Sequence, residues 1–89
     1  MKEQIFKIIN AHLAEWNPIN VPKEIAESEY PDLVPLFMDA IKGKNESMDN
    51  IENYLFDVIG EGFENKEILN DVNRLINNIK DELIDNNLI

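Results

Sequence analysis

Apolar residues recur at three- and four-residue steps along most of the chain, a spacing that places them on one face of an α-helix. The helices predicted from these runs cover residues 2–16, 32–43, 47–60 and 65–86. Asn17 and Pro18 end the first helix, because a proline disfavours helical backbone at the residue before it. No stretch alternates apolar and polar positions for long, as a half-buried strand would. The pattern therefore predicts an all-α fold, a small four-helix bundle that forms a single domain over residues 1–89.

The predicted helix ends carry residues that typically cap helices. Asp32, Ser47 and Asn65 stand where N-caps are expected, since their side-chain oxygens can accept hydrogen bonds from first-turn amides. Gly43 stands where the second helix should stop. Each of these positions gives a boundary that a structure can test.

The segment between the first two helices, residues 17–31, contains three prolines and is predicted to be a structured loop. Its apolar residues are expected to hold it against the end of the bundle, and they are Ile19, Val21, Ile25 and Tyr30. Within it, Pro22 could open one helical turn through Ala26.

Composition narrows the possible functions. The chain has 18 acidic and 8 basic residues, a net charge of −10, and a surface of that sign repels the phosphates of nucleic acids. It has no cysteine, one histidine and three glycines, which leaves no thiolate zinc site, disulfide or phosphate-binding glycine loop. We therefore expect no catalytic activity, no cofactor and no metal. No run approaches the ~20 apolar residues of a membrane span and no signal segment is recognised, so a cytoplasmic location is expected.

The acidic residues are concentrated in the third predicted helix and its flanks. Residues 45–64 contain six acids and no base. The positions expected on the face opposite Ile51, Leu55 and Val58 are Glu46, Asp49, Asn53, Asp57 and Glu64. Phe56 lies at the edge of that face. An acidic stripe beside an aromatic favours binding of a basic protein partner; the alternative is a solvated helix face with Phe56 packed under a neighbouring loop.

A second candidate site is the corner after the first helix. Trp16, Ile19 and Tyr30 could line a small ligand groove. The alternative is a purely structural corner, in which Trp16 fills the end of the bundle and Asn17 caps free backbone groups. His12, the only histidine, lies at the margin of the first apolar face and is interpreted as structural.

The same corner carries a family resemblance. The residues that carry the resemblance are Trp16-Asn17-Pro18-Ile19, Glu29-Tyr30, Ser47, Ile51 and Leu55. Through them the chain resembles the small bacterial proteins of the domain-of-unknown-function family numbered 1871. The similarity extends from about residue 5 to residue 79, and Asn17 stands where that family commonly has Asp. The resemblance implies a compact helical domain of bacterial origin and supplies no catalytic residues.

These observations favour a non-enzymatic module that binds a basic protein. One version is an immunity or antitoxin-like role, in which an acidic surface masks the basic substrate face of a toxic nuclease. The alternative is a structural or accessory subunit that acts through homo-oligomerisation, by way of Phe56 or the fourth helix. The sequence does not specify the oligomeric state.

Overall fold

The computed structural model describes residues 2–89, and no strand occurs in that part of the chain. It contains α1 (Lys2–Trp16), α2 (Lys23–Glu29), α3 (Val34–Ile41), α4 (Ser47–Ile59) and α5 (Lys66–Asp85), with a 3-10 turn (Pro31–Leu33) before α3. The structure is 75% helical, which confirms the all-α prediction. The four predicted helices correspond to α1, α3, α4 and α5, and α2 is a fifth helix inside the predicted loop.

α1 has the predicted boundaries. Ile9 and Leu13 on its apolar face have no exposed surface. Asn17 follows with a φ of 49°, a left-handed conformation that asparagine adopts more readily than most residues. The chain leaves the helix in a tight turn, in which the amide of Asn20 donates to the carbonyl of Asn17 at 2.9 Å.

The predicted loop is more helical than the sequence suggested. Pro22 precedes α2 as expected, but the helix continues past Ala26 to Glu29. Ala26 is buried and faces α1, whereas Ile25 is 44% exposed, so the prediction that Ile25 holds the loop against the bundle is wrong. Neighbouring positions on a helix point about 100° apart, and the helix turns its alanine inward.

Two of the three predicted N-caps are wrong. Asp32 lies within the 3-10 turn, and α3 begins only at Val34, so that Pro35 falls in the first turn where no amide is needed. Ser47 is the first residue of α4, and its hydroxyl donates to the carbonyl of Lys44 at 2.8 Å instead of accepting from the helix. The predicted N-cap at Asn65 is confirmed, because its Oδ1 accepts a hydrogen bond from the amide of Glu67 at 3.0 Å.

The core lies around α3, which contacts α1, α4 and α5. Its residues without exposed surface are Ile9, Leu13, Tyr30, Leu33, Phe37, Ile51, Leu55, Val72, Ile79 and Leu83. Trp16 is half-buried and packs its ring edge to face with Phe37, with centroids 6.3 Å apart. α4 packs on α3 and leaves its opposite face in solvent. None of the helices in residues 2–89 has the length and apolar character needed to cross a membrane.

Candidate functional site

The acids of residues 45–64 remain uncompensated in the folded chain. They are Glu46, Asp49, Glu52, Asp57, Glu61 and Glu64, of which only Glu52 is half-buried. None of them forms a salt bridge with a described residue. The three salt bridges of lysine or arginine found in residues 2–89 lie on other segments, between Lys7 and Glu3, Lys44 and Asp39, and Arg74 and Asp71. His12 is in hydrogen-bond contact with Glu82.

α4 turns its acidic residues outward because its opposite side is anchored in the core. Ile51 and Leu55 have no exposed surface, while Asp49, Asn53 and Asp57 are exposed. These three residues lie on the side of the helix predicted from the sequence. Together with Glu46 and Phe56 they form the surface that we call the acidic surface.

Two details of the predicted stripe are wrong. α4 ends at Ile59, so Glu64 lies in the loop to α5, where its Oε1 accepts from the amide of Gly62 at 3.1 Å. Val58, assigned to the buried stripe, is 37% exposed. Glu46 stands just before the helix with a φ of 68°, a left-handed conformation that costs a residue with a side chain about 1–2 kcal/mol.

Phe56 is partly exposed on the acidic surface and partly packed against the loop that follows α4. Its side chain is 45% exposed, yet one edge of its ring lies against the backbone of Gly62. A Cβ at Gly62 would stand 2.5 Å from Cε2 of Phe56 and 2.6 Å from Oε2 of Glu52, so a larger residue at this position would require those two side chains to move. Oε2 of Glu52 also accepts from the amide of Phe63 at 2.7 Å. The loop after α4 therefore fixes one edge of the ring and leaves the rest in solvent.

The corner after α1 is closed. Tyr30 has no exposed surface, so it cannot line a groove, and the predicted groove of Trp16, Ile19 and Tyr30 is not formed. The Tyr30 hydroxyl donates to Oδ1 of Asn17 at 2.6 Å and accepts from the amide of Ile19 at 3.1 Å. The Asn17 side chain also exchanges two hydrogen bonds with the backbone of Val21, at 2.8 and 3.1 Å. These hydrogen bonds of Asn17 and Tyr30 hold the loop in place.

Two tyrosines next to this corner have altered titration. Burial raises the pKa of Tyr30 above its usual value, an effect partly offset by the amide of Ile19 and reinforced by the charge of Glu29. Burial also raises the pKa of Tyr54, with smaller contributions from Asp32, Tyr30 and Glu29. Both hydroxyls are therefore held in the neutral form well into the alkaline range.

His12 connects the first and last helices. Its Nε2 lies 2.9 Å from Oε1 of Glu82 on α5, beside an open hollow of about 500 Å³ between the two helices. This contact joins residues 70 positions apart and could not be read from spacing along the sequence. Within residues 2–89 there is no cluster of three or more histidine, aspartate or glutamate side chains able to hold a metal ion.

Phe6 is 40% exposed, although its position puts it at the edge of the apolar stripe of α1. Phe6 widens that stripe beyond what one neighbouring helix can cover, and this width is a signal that the sequence does contain.

Comparison of the chain with protein-family models, curated proteins and solved structures found no match. The resemblance to family 1871 therefore stays a prediction from the sequence motifs alone.

Proposed function

We propose that this protein is a non-enzymatic binding module whose acidic surface recognises a basic protein partner. The observation that carries the proposal is the exposed Phe56 ring among carboxylates that have no basic partner within residues 2–89. Complementary charge speeds the encounter of two proteins. A buried aromatic anchor then supplies much of the energy that keeps them together.

The way in which Phe56 is held supports the anchor role. Its contact with Gly62 restricts the ring before any partner arrives. A side chain that is already ordered loses less conformational entropy on binding, and this loss is worth about 0.5–1.5 kcal/mol for a flexible side chain. The acidic residues around it spread along one helix face and do not converge on a common point, an arrangement that suits recognition better than acid–base chemistry.

The immunity or antitoxin-like role is the more specific form of this proposal. In it, the acidic surface covers the basic face with which a toxic nuclease holds its substrate, and both proteins meet in a bacterial cytoplasm. Charge complementarity and small size support this version. A gene for a toxin domain immediately upstream would strengthen it, and its absence from the neighbourhood would argue for another basic partner.

A second candidate is an accessory subunit that self-associates through the end of α5. The observation in its favour is that Ile84 is 49% exposed and Ile89 is 50% exposed. A symmetric contact through the acidic surface is disfavoured, because it would bring like charges together. Light scattering coupled to size-exclusion chromatography separates the two candidates, since the first predicts a monomer.

The proposal is tested by quantitative affinity capture from the cells that naturally express the chain. The baits are the wild type, Asp49→Lys/Asp57→Lys, and Glu24→Lys/Glu27→Lys, a matched reversal of two exposed acids on α2. We expect a basic protein that the wild type and the α2 variant retain equally and that the α4 variant loses. Equal retention by all three baits would contradict the proposal.

A further inference from the structure

A second exposed apolar feature lies on another part of the molecule, between α1 and α3. It is an open groove of about 370 Å³. Its apolar lining consists of Ile5, Phe6, Pro35 and Met38, with the buried Ile9 and Val34 beneath them. Scattered exposed apolar residues are ordinary on protein surfaces, but a concave, contiguous apolar patch marks an interaction site more often than chance.

The charges at this groove are opposite to those of the protein as a whole. Two lysines, Lys2 and Lys42, stand among its lining residues, and no acidic residue does. Neither lysine forms a salt bridge with a described residue. On a chain of net charge −10, this groove is therefore a local site where an acidic ligand is attracted.

The shape suits a helix better than a small molecule. α3 has 8 residues and is about 12 Å long at 1.5 Å per residue, which matches two turns of a partner helix. Helices bind grooves of this kind with apolar anchors spaced three or four residues apart. Small-molecule pockets also need polar groups that converge inside them, whereas the groove has polar groups only on the two lysines.

We propose that the groove between α1 and α3 binds an amphipathic helical segment of a partner protein, with apolar anchors flanked by aspartate or glutamate. The anchors pack against Phe6 and Met38, and the flanking carboxylates pair with Lys2 and Lys42. This site is separate from the acidic surface and selects the opposite charge. The protein could then bind a basic partner through the acidic surface and an acidic helical segment in the groove at the same time.

The test uses the full chain as bait for a displayed library of random 16-residue peptides. Enriched peptides are expected to carry apolar residues three or four positions apart with acidic residues beside them. Lys2→Glu/Lys42→Glu should weaken their binding about tenfold, since both ion pairs are lost and replaced by repulsion. The matched control Lys23→Glu/Lys66→Glu should bind normally, because those exposed lysines lie outside the groove.

A second pair of variants tests the apolar contact. Phe6→Ser should abolish binding of the enriched peptides, and Ile25→Ser, a similar loss of an exposed apolar side chain on α2, should leave it unchanged. The lysine variants keep the test decisive if Phe6→Ser fails to fold. Asp49→Lys/Asp57→Lys should also leave peptide binding intact, so failure of the proposed function and failure of this proposal are distinguishable.

Three results would overturn the proposal. One is the absence of any enriched peptide whose binding depends on Lys2 and Lys42. Another is enrichment of peptides with basic instead of acidic flanks. The third is self-association of the chain that is lost in Lys2→Glu/Lys42→Glu, which would identify a second copy of this protein as the occupant.

Discussion

The ring of Phe56 rests on the backbone of Gly62, close enough that a Cβ at position 62 would stand 2.5 Å from Cε2 and 2.7 Å from Cζ of the ring. The contact joins the acidic surface to the loop that follows α4. It also explains why an aromatic side chain that is 45% exposed can have a defined orientation. The position of the proposed anchor therefore depends on a glycine six residues away.

Gly62→Ala should destabilise the fold and displace the Phe56 ring. The added methyl group must push aside both the ring and the Glu52 carboxylate, and overpacking of this kind costs about 1–3 kcal/mol. Urea denaturation gives the change in the free energy of unfolding. In a Phe56→Ala background the same substitution should cost less, because half of the clash is gone. Equal costs in both backgrounds would show that the ring does not rest on Gly62 in solution.

Tyr30→Phe should loosen the corner after α1. The hydroxyl of the buried Tyr30 makes two hydrogen bonds. Its loss leaves the amide of Ile19 without that partner, which costs about 1–3 kcal/mol, while Oδ1 of Asn17 still accepts from the amide of Val21. Tyr54→Phe is the matched control, since the Tyr54 hydroxyl has no hydrogen-bond partner among the side-chain bonds of residues 2–89. It should cost under about 1 kcal/mol. Thermal or urea denaturation of both variants measures the difference, and equal losses would contradict a structural role for the corner.

The free energy of unfolding should fall at alkaline pH because Tyr30 and Tyr54 ionise more readily in the unfolded chain than in the folded one. Both have a raised pKa in the folded chain, whereas a tyrosine in the unfolded chain titrates at about 10. Above that pH the unfolded chain loses its protons first, so the contribution to stability is complete below pH 10 and is lost as the pH rises through the folded pKa. Denaturation curves between pH 8 and 12 should therefore show a steeper decline for the wild type than for Tyr30→Phe/Tyr54→Phe. Parallel declines would contradict an effect of these two tyrosines.

Added salt should stabilise the protein. Its net charge of −10 and the uncompensated acids of residues 45–64 repel one another, and the screening length falls from about 30 to about 8 Å as salt rises from about 10 to 150 mM. The melting temperature should increase over that range. Asp49→Lys/Asp57→Lys should show a smaller increase, because it removes part of the repulsion. A melting temperature that falls with salt would indicate that the few ion pairs dominate.

Helices whose position is determined by the local sequence could be predicted well. Helices whose position is determined by tertiary packing could be predicted less well. α1, α4 and α5 carry long runs of apolar residues at helical spacing, and their predicted bounds agree with the structure to within about one residue. α2 is only 7 residues long, and it depends on Ala26 packing against α1, which no local pattern reveals. Short helices owe their stability to such contacts more than to propensity.

The candidate sites divide in the same way. The exposure of Asp49, Asn53 and Asp57 follows from the helical period around Ile51 and Leu55. Tyr30 is buried and bonded to a residue 13 positions earlier, a contact that helical spacing does not indicate. The groove between α1 and α3 depends on how two helices pack, which the position of Phe6 along one helix does not reveal. Properties of one helix face are predictable from sequence, whereas features shared by two elements are not.

The central claim is that the acidic surface of α4 binds a basic protein, and the association rate of the purified pair tests it most directly. Electrostatic attraction acts mainly on the association rate, and an apolar anchor acts mainly on dissociation. At low salt, Asp49→Lys/Asp57→Lys should slow association about tenfold or more and flatten its salt dependence, while Glu24→Lys/Glu27→Lys should have a much smaller effect. Phe56→Ala should instead speed dissociation with little change in salt dependence. Association that is equally fast for the α4 and α2 variants would contradict the claim.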